Sequence, residues 1–377
     1  MFTVAEKERR HKAINQMIIS ENLKALLLYE HSQITAEVLG DLRYYTNNRL
    51  VGAEQVVIAF PDAEPVLFAW SEVQRQAAAR QQFVKDCRMS TNLLVDVVKL
   101  LKERGISAGR IGINLGVLPA AWYEYLKQEL PQIQWIETHK QILQIRLQKS
   151  QEEAEVFRKC AALCDGCYEV LKKAVRPGVS QFEIVAEVEH FSRAGGAEEH
   201  FTLIGSGKFP ITEGNRLPLS YPQQRKVEVG DIVIMEITPR YEGYWTQLVR
   251  IVNVGKPNTV MEKLHKVCVE TIKKGLDELK PGKKVRDVMS AMESYVSKSG
   301  TGYLLKPPFG HVCGVELLEG RVSMDNEMVL TPGTAVIIHP GLFLPDGKNM
   351  VFWGETYLVT QNGYERLNRA PDDLVTV

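Results

Sequence analysis

Residues 230–247 read Gly-Asp-Ile-Val-Ile-Met-Glu-Ile-Thr-Pro-Arg-Tyr-Glu-Gly-Tyr-Trp-Thr-Gln. The run Ile-Val-Ile-Met (232–235) is apolar and of strand length, and it ends on an acid, Glu236. A carboxylate buried without a partner is costly, so Glu236 needs a cation, a protonated imidazole or a set of hydrogen-bond donors. The pattern predicts strands over 231–238 and 245–254, and these carry Glu236 and, eleven residues on, Gln247.

Outward from that stretch, helical spacing precedes and follows it. Residues 151–174 and 181–194 read as two helices joined by Arg-Pro-Gly-Val-Ser (176–180), in which Pro and Gly stop the first and Ser180 caps the second. Ser150 with Glu153 three residues on forms a capping box at the start of the pair. A second helical pair spans 261–279 and 285–298, and strands follow near 335–339 and 355–360. Before residue 146 the chain alternates instead. Helix 7–21, strand 25–29, a hairpin over 55–60 and 64–70, helix 93–104, strand 110–114 and helix 120–130 describe an α/β unit with a mixed sheet. Two domains follow, 1–145 and 146–377, the first α/β and the whole chain α/β (α+β) in class.

Composition excludes several functions. Lys+Arg and Asp+Glu both number 46, so no basic excess exists to bind nucleic acid. The longest apolar stretches are strand-sized, which predicts no membrane span, and the N-terminal residues lack the apolar core of a signal peptide. A cytoplasmic protein is expected. Cys160, Cys164 and Cys167 have the spacing of the cluster-binding motif of radical S-adenosylmethionine enzymes. They fall inside the 151–174 helical pattern, where cysteines read as buried thiols.

Several ordered segments resemble the creatinase/prolidase/aminopeptidase P family, whose fold is the pita bread. Residues 230–247 resemble its ligand-bearing hairpin, and Pro-Pro-Phe-Gly-His (307–311) followed by Gly314 its Gly-His-x-x-Gly motif. Residues 330–341 resemble its Pro-Gly-…-Glu-Pro-Gly segment, and 355–363 its closing Glu-Asp-Thr-…-Val-Thr-x-x-Gly segment. Arg-Leu-Gln-Lys-Ser (146–150) is similar to the start of its catalytic domain, and Asp-Leu-Arg-Tyr-Tyr-Thr (41–46) to an element of its N-terminal domain. The resemblance implies a creatinase-like N-terminal domain, a pita-bread C-terminal domain and a homodimer.

Family peptidases hold two metal ions on two Asp, one His and two Glu, and the ions make a nucleophile of bound water. The resemblance puts Glu236 at the first of these positions, Gln247 at the second, His311 at the third, His339 at the fourth and Gly354 at the fifth. An amide and a glycine remove the charge that a second dication needs, so a dinuclear centre is not expected. Glu355 adjoins the fifth position, but a one-residue shift in a strand reverses the face, and only a bulge at Gly354 would restore it. Two further family histidines align near Leu219 and with Leu318, and His200 is not an obvious replacement.

What remains supports several readings. Glu236, His311 and His339 make a carboxylate and two imidazoles, the ligand set of a single Fe, Zn or Mn ion. Without metal, Glu236, His311, His339, Glu319 and Glu355 could act on a small polar or cationic substrate, as the metal-free creatinase does within this fold, one imidazole serving as acid and base. Gln247, Tyr244, Phe309 and Trp353 are then candidate substrate-binding residues, with Trp245 and Phe352 as further aromatic walls. A histidine on an apolar strand, such as His339, is also commonly a core residue. The leading expectation is an enzyme cleaving a C–N bond of a small non-peptide substrate. The alternatives are a non-catalytic binding or interaction protein of the same fold, and a true Xaa-Pro aminopeptidase or dipeptidase.

Overall fold

A computed structural model describes residues 2–31, 40–49, 54–211 and 219–377. The chain divides into two compact units, Met1–Leu147 with Val315–Leu317, and Gln148–Gly314 with Leu318–Val377.

Among the described residues the first unit has one six-stranded sheet. Its order is Asp86–Met89, Val66–Ala69, Glu54–Ala59, Ala25–His31, Ala108–Ile113, Gln132–Glu137. Glu54–Ala59 pairs antiparallel with both Ala25–His31 and Val66–Ala69, whereas the other three pairings are parallel. The mixed sheet expected from the alternating elements is present. Leu27, Tyr29, Val56 and Ile58 pack with Val97, Leu101 and Trp122 of the helices to form its core.

The second unit opens on helices Gln151–Ala174 and Gln181–Ala194, and both start in capping boxes at Ser150 and Ser180. Helices Thr259–Leu276 and Val285–Lys298 form the later pair. The long strand Asp231–Tyr241 lies between Glu199–Lys208 and Leu248–Asn253, and the latter continues into Gly354–Val359, Ala335–Ile338 and Gly310–Cys313. The expected strand over 245–254 is interrupted at Thr246 and Gln247. The Gln247 amide donates to the Thr356 hydroxyl (2.9 Å) and so leaves the strand ladder.

Alternation decides which face each residue takes. Val233, Met235, Ile237 and Leu248 pack against Cys164, Tyr168, Leu171 and Val188 of the first helix pair. Ile234, Glu236, Gln247 and Val249 therefore face the other side of the sheet. The cysteines follow from the same packing. The Cys160, Cys164 and Cys167 thiols donate to the carbonyls of Pro239, Ile237 and Val188, and burial pushes all three up in pKa. They are inert core thiols in a helix, and the iron–sulfur spacing has no structural counterpart.

Candidate functional site

The family ligand positions share the face turned away from the helices. Glu236 pairs with Val249, and Val249 with Gly354. Ile338 pairs with Glu355, so His339 falls opposite Gly354 at the next step, and His311 pairs with Ile337 two residues before His339. Paired and alternate residues point the same way, so Glu236, Gln247, His311, His339 and Gly354 lie on one surface. The His311 and His339 rings stand 5.3 Å apart, edge to face.

The row His339–Gly354–Val249–Glu236 spans four strands. At ~4.8 Å per strand its ends are about 14 Å apart, and Gly354, which has no side chain, stands between them. The glycine is a steric requirement as well. A Cβ on Gly354 would lie 1.9 Å from the Ile338 carbonyl and 2.5 Å from the His339 Cα. The neighbouring backbone fills the space from which a fifth ligand would project.

Electrostatics distinguishes the ends of this row. Glu236 is 6% exposed, and among the described residues its carboxylate has no ion pair or hydrogen bond; burial alone pushes its pKa up to about 7. His339 is buried against Phe352 (ring centroids 5.0 Å), and neither ring nitrogen has a hydrogen-bond partner among the described residues. Burial, and then the adjacent His311, push its pKa down to about 3, so it is neutral at physiological pH. Gln247 has its backbone tied to Thr356 and its Oε1 buried without a partner among the described residues.

A cavity of about 200 Å³ opens at Glu236. Leu203, Pro307, Phe343, Met350 and Phe352 supply its apolar walls. Leu219 lines it too, near the position where the family resemblance places a histidine. Glu236 is its sole charged lining residue among the described residues. The strands Gly341–Phe343 and Met350–Phe352 belong to a separate small sheet, and no sequence motif marks them as pocket walls. Sequence reasoning missed Phe343 and Met350 for that reason, and Leu203 because it meets Glu236 only across the strand pair Glu199–Lys208 and Asp231–Tyr241.

Four candidate residues are elsewhere. Glu355 pairs with Leu248 and so faces the helices, where Arg250, Arg366 (2.7 Å) and the Tyr357 hydroxyl (2.8 Å) hold its carboxylate. No bulge turns it back. Trp353 has the same parity, packing on His265 (4.4 Å) and under the Arg250 guanidinium (4.4 Å). Tyr244 donates to Glu153 (2.6 Å) and packs on Phe157, both on the first long helix. Glu319 is ion-paired to Lys149 at 3.0 Å. Two physical causes act here: residues adjacent in a strand face opposite ways, and a buried carboxylate is drawn to a fixed cation. Phe309 contributes backbone, its carbonyl accepting from the His339 amide (3.1 Å). His200 pairs with Pro239 and shares its helix-side face, away from Glu236.

The metal readings can be tested on this geometry. Glu236, His311 and His339 do not bring three ligand atoms within 4.8 Å of one another; among the described residues only Asp41, His139 and Glu316 do so. The side chains of Glu236, His311 and His339 as placed do not form the three-ligand cluster expected from sequence. In the Asp41 trio the cationic role is already filled. Arg146 Nη1 donates to Asp41 (2.6 Å) and Glu316 (2.8 Å), while His139 and Asn114 engage the second Asp41 oxygen. A Cβ on Gly40 would strike the same guanidinium at 2.3 Å, so that glycine keeps room for it.

The helix pairs packed on one sheet, with the ligand positions along the other face of its strands, define a pita-bread domain in the second unit, and the first unit is a creatinase-type domain. Residues 155–361 match the model of metallopeptidase family M24, and residues 9–148 that of the creatinase/prolidase N-terminal domain. The chain belongs to metallopeptidase family M24. It is 27% identical over 268 residues to an Xaa-Pro dipeptidase of Pyrococcus horikoshii, which is 70% of this chain and 75% of that one. It is 23% identical to an uncharacterized peptidase of Bacillus subtilis over 71% of this chain and 74% of the other. Among solved structures, an Xaa-Pro dipeptidase from Bacillus anthracis superposes with a TM-score of 0.83 at 23% identity, covering 98% of this chain and 100% of that one. The prolidase from Pyrococcus horikoshii superposes equally well, with a TM-score of 0.83 at 23% identity over 97% and 99%.

M24 proteins usually bind divalent metals, and the residues here do not fit a two-ion centre. One carboxylate remains on the shared face, an amide and two imidazoles stand at other positions, and backbone excludes any side chain at Gly354.

Proposed function

We propose that this chain is an M24-fold hydrolase that cleaves a C–N bond of a small substrate seated in the Glu236 cavity, without the two-ion centre of the family. The observation that carries this reading is the lone carboxyl of Glu236 in an otherwise apolar cavity, poised to titrate at about 7. A group with that pKa can serve as base and as acid at neutral pH. In the hydrolysis, Glu236 takes a proton from water as the water oxygen bonds to carbon. The C–N bond breaks, and the nitrogen leaves with the proton that Glu236 returns. His339, neutral through burial, does not line the cavity and moves no proton in this scheme.

Two relatives support a narrower reading, hydrolysis of Xaa-Pro dipeptides, since both are named Xaa-Pro dipeptidases. Proline's apolar ring suits the apolar walls. Assay of Xaa-Pro dipeptides with and without Mn²⁺, beside a panel of small amides and amidines, separates the two. Turnover that requires Mn²⁺ and survives Glu236→Gln would sink the first reading. Metal-independent turnover abolished by Glu236→Gln supports it, and binding without turnover of any substrate would make the chain a binding protein.

A further inference from the structure

The Glu236 cavity also specifies a ligand chemistry. Its walls are aliphatic and aromatic side chains, with one anionic group and no lining cation among the described residues. Lys306 Nζ stands 5.2 Å from the Phe343 ring centroid, but Lys306 does not line the cavity. A buried carboxylate facing apolar surface is stabilised by a donor that brings positive charge, and apolar walls are matched by a hydrocarbon body. The cavity holds about 200 Å³, roughly six or seven groups at about 30 Å³ for a water-sized group. Aromatic walls at Phe343 and Phe352 add a favourable surface for a cation beside the carboxylate.

We propose that this cavity binds a small organic ammonium ion with an apolar body, its nitrogen on the Glu236 carboxylate and its body against Phe343, Met350 and Phe352. This rests on reading the Glu236 cavity as the ligand site, and it names the class of molecule that the site selects. A neutral molecule of the same shape fills the walls but leaves the carboxylate without its ion pair.

Calorimetric titration of the full chain at pH 8 with benzylamine and with benzyl alcohol tests it. At that pH the amine is charged. A charge-assisted hydrogen bond in a buried site predicts about 10- to 100-fold tighter binding of the amine. Glu236→Gln should erase this preference while leaving benzyl alcohol bound as before, which shows that the variant's cavity is intact. Equal affinity for the two probes, tighter binding of the alcohol, no binding of either, or a preference that survives Glu236→Gln would each overturn the proposal. Amine binding without turnover of any amide keeps this inference and removes the hydrolytic reading. Turnover of a neutral amide with no amine preference does the reverse.

Discussion

Glu236 and Glu355 lie in one sheet with a single strand between them, and both are buried. Glu355 faces the helices, and Arg250, Arg366 and Tyr357 hold its carboxylate. Glu236 faces the other way, with no partner among the described residues, onto an apolar cavity. The first carboxylate is a fixed structural charge whose partners were built with the fold. The second carries an uncompensated burial penalty, which a fold retains where a ligand or a proton offsets it. A family alignment places both near ligand positions, and only the face of the strand tells them apart.

Removing a partner of the paired acid should produce the largest effect. Arg250→Ala leaves Glu355 buried with a weakened ion pair and should destabilise the chain by about 3 to 5 kcal/mol in denaturant unfolding. Loss below about 1 kcal/mol would show that Arg366 alone suffices and would weaken the contrast with Glu236. Gly354→Ala comes next. Its Cβ would meet the Ile338 carbonyl at 1.9 Å, so two strands must part, at a cost of about 3 kcal/mol. An Ala variant as stable as the parent would reopen the position to a ligand side chain.

Glu236→Gln should act in the opposite direction, increasingly as pH rises above about 4.5. The folded-state pKa of Glu236, about 7, lies above its ordinary value of 4.5, so the folded protein holds a proton that the unfolded chain has lost. Stability therefore falls as pH rises from about 4.5 to about 7 and stays reduced above that. The variant should be more stable than the parent by roughly 2 to 3 kcal/mol at pH 8 and equal to it near pH 4. A variant less stable at pH 8 would mean that Glu236 has a cationic partner. The smallest effect is expected in the first unit, where His139→Ala removes one of several partners of Asp41 and leaves Arg146 in place. About 1 kcal/mol is expected from thermal unfolding.

Much of this was legible in the sequence, because ordered local patterns specify it. The helices over 151–174 and 181–194 have their observed limits, since capping boxes and Pro-Gly mark their ends. The common face of Glu236, Gln247, His311 and His339 follows from strand spacing once the segments are aligned. Glu355 was legible too, by the same period of two, and only a bulge would have made it a site residue. Tyr244 and Trp353 were not, because an aromatic beside a ligand position reads alike whether it faces cavity or helix. The cavity itself draws on Leu203, Phe343 and Met350, which are distant in sequence and chemically ordinary. The Asp41–Arg146–Glu316 cluster joins residues more than a hundred positions apart, and short-range patterns carry no trace of it.

We propose that the shared strand face of Glu236, His311 and His339 does not hold two ions. Measuring metal bound per chain by mass spectrometry, after saturation with Mn²⁺ and removal of free ion, tests it most directly. Fewer than two ions per chain, with no loss on Glu236→Gln, is the predicted result. Two tightly held ions per chain, both lost in Glu236→Gln, would contradict it.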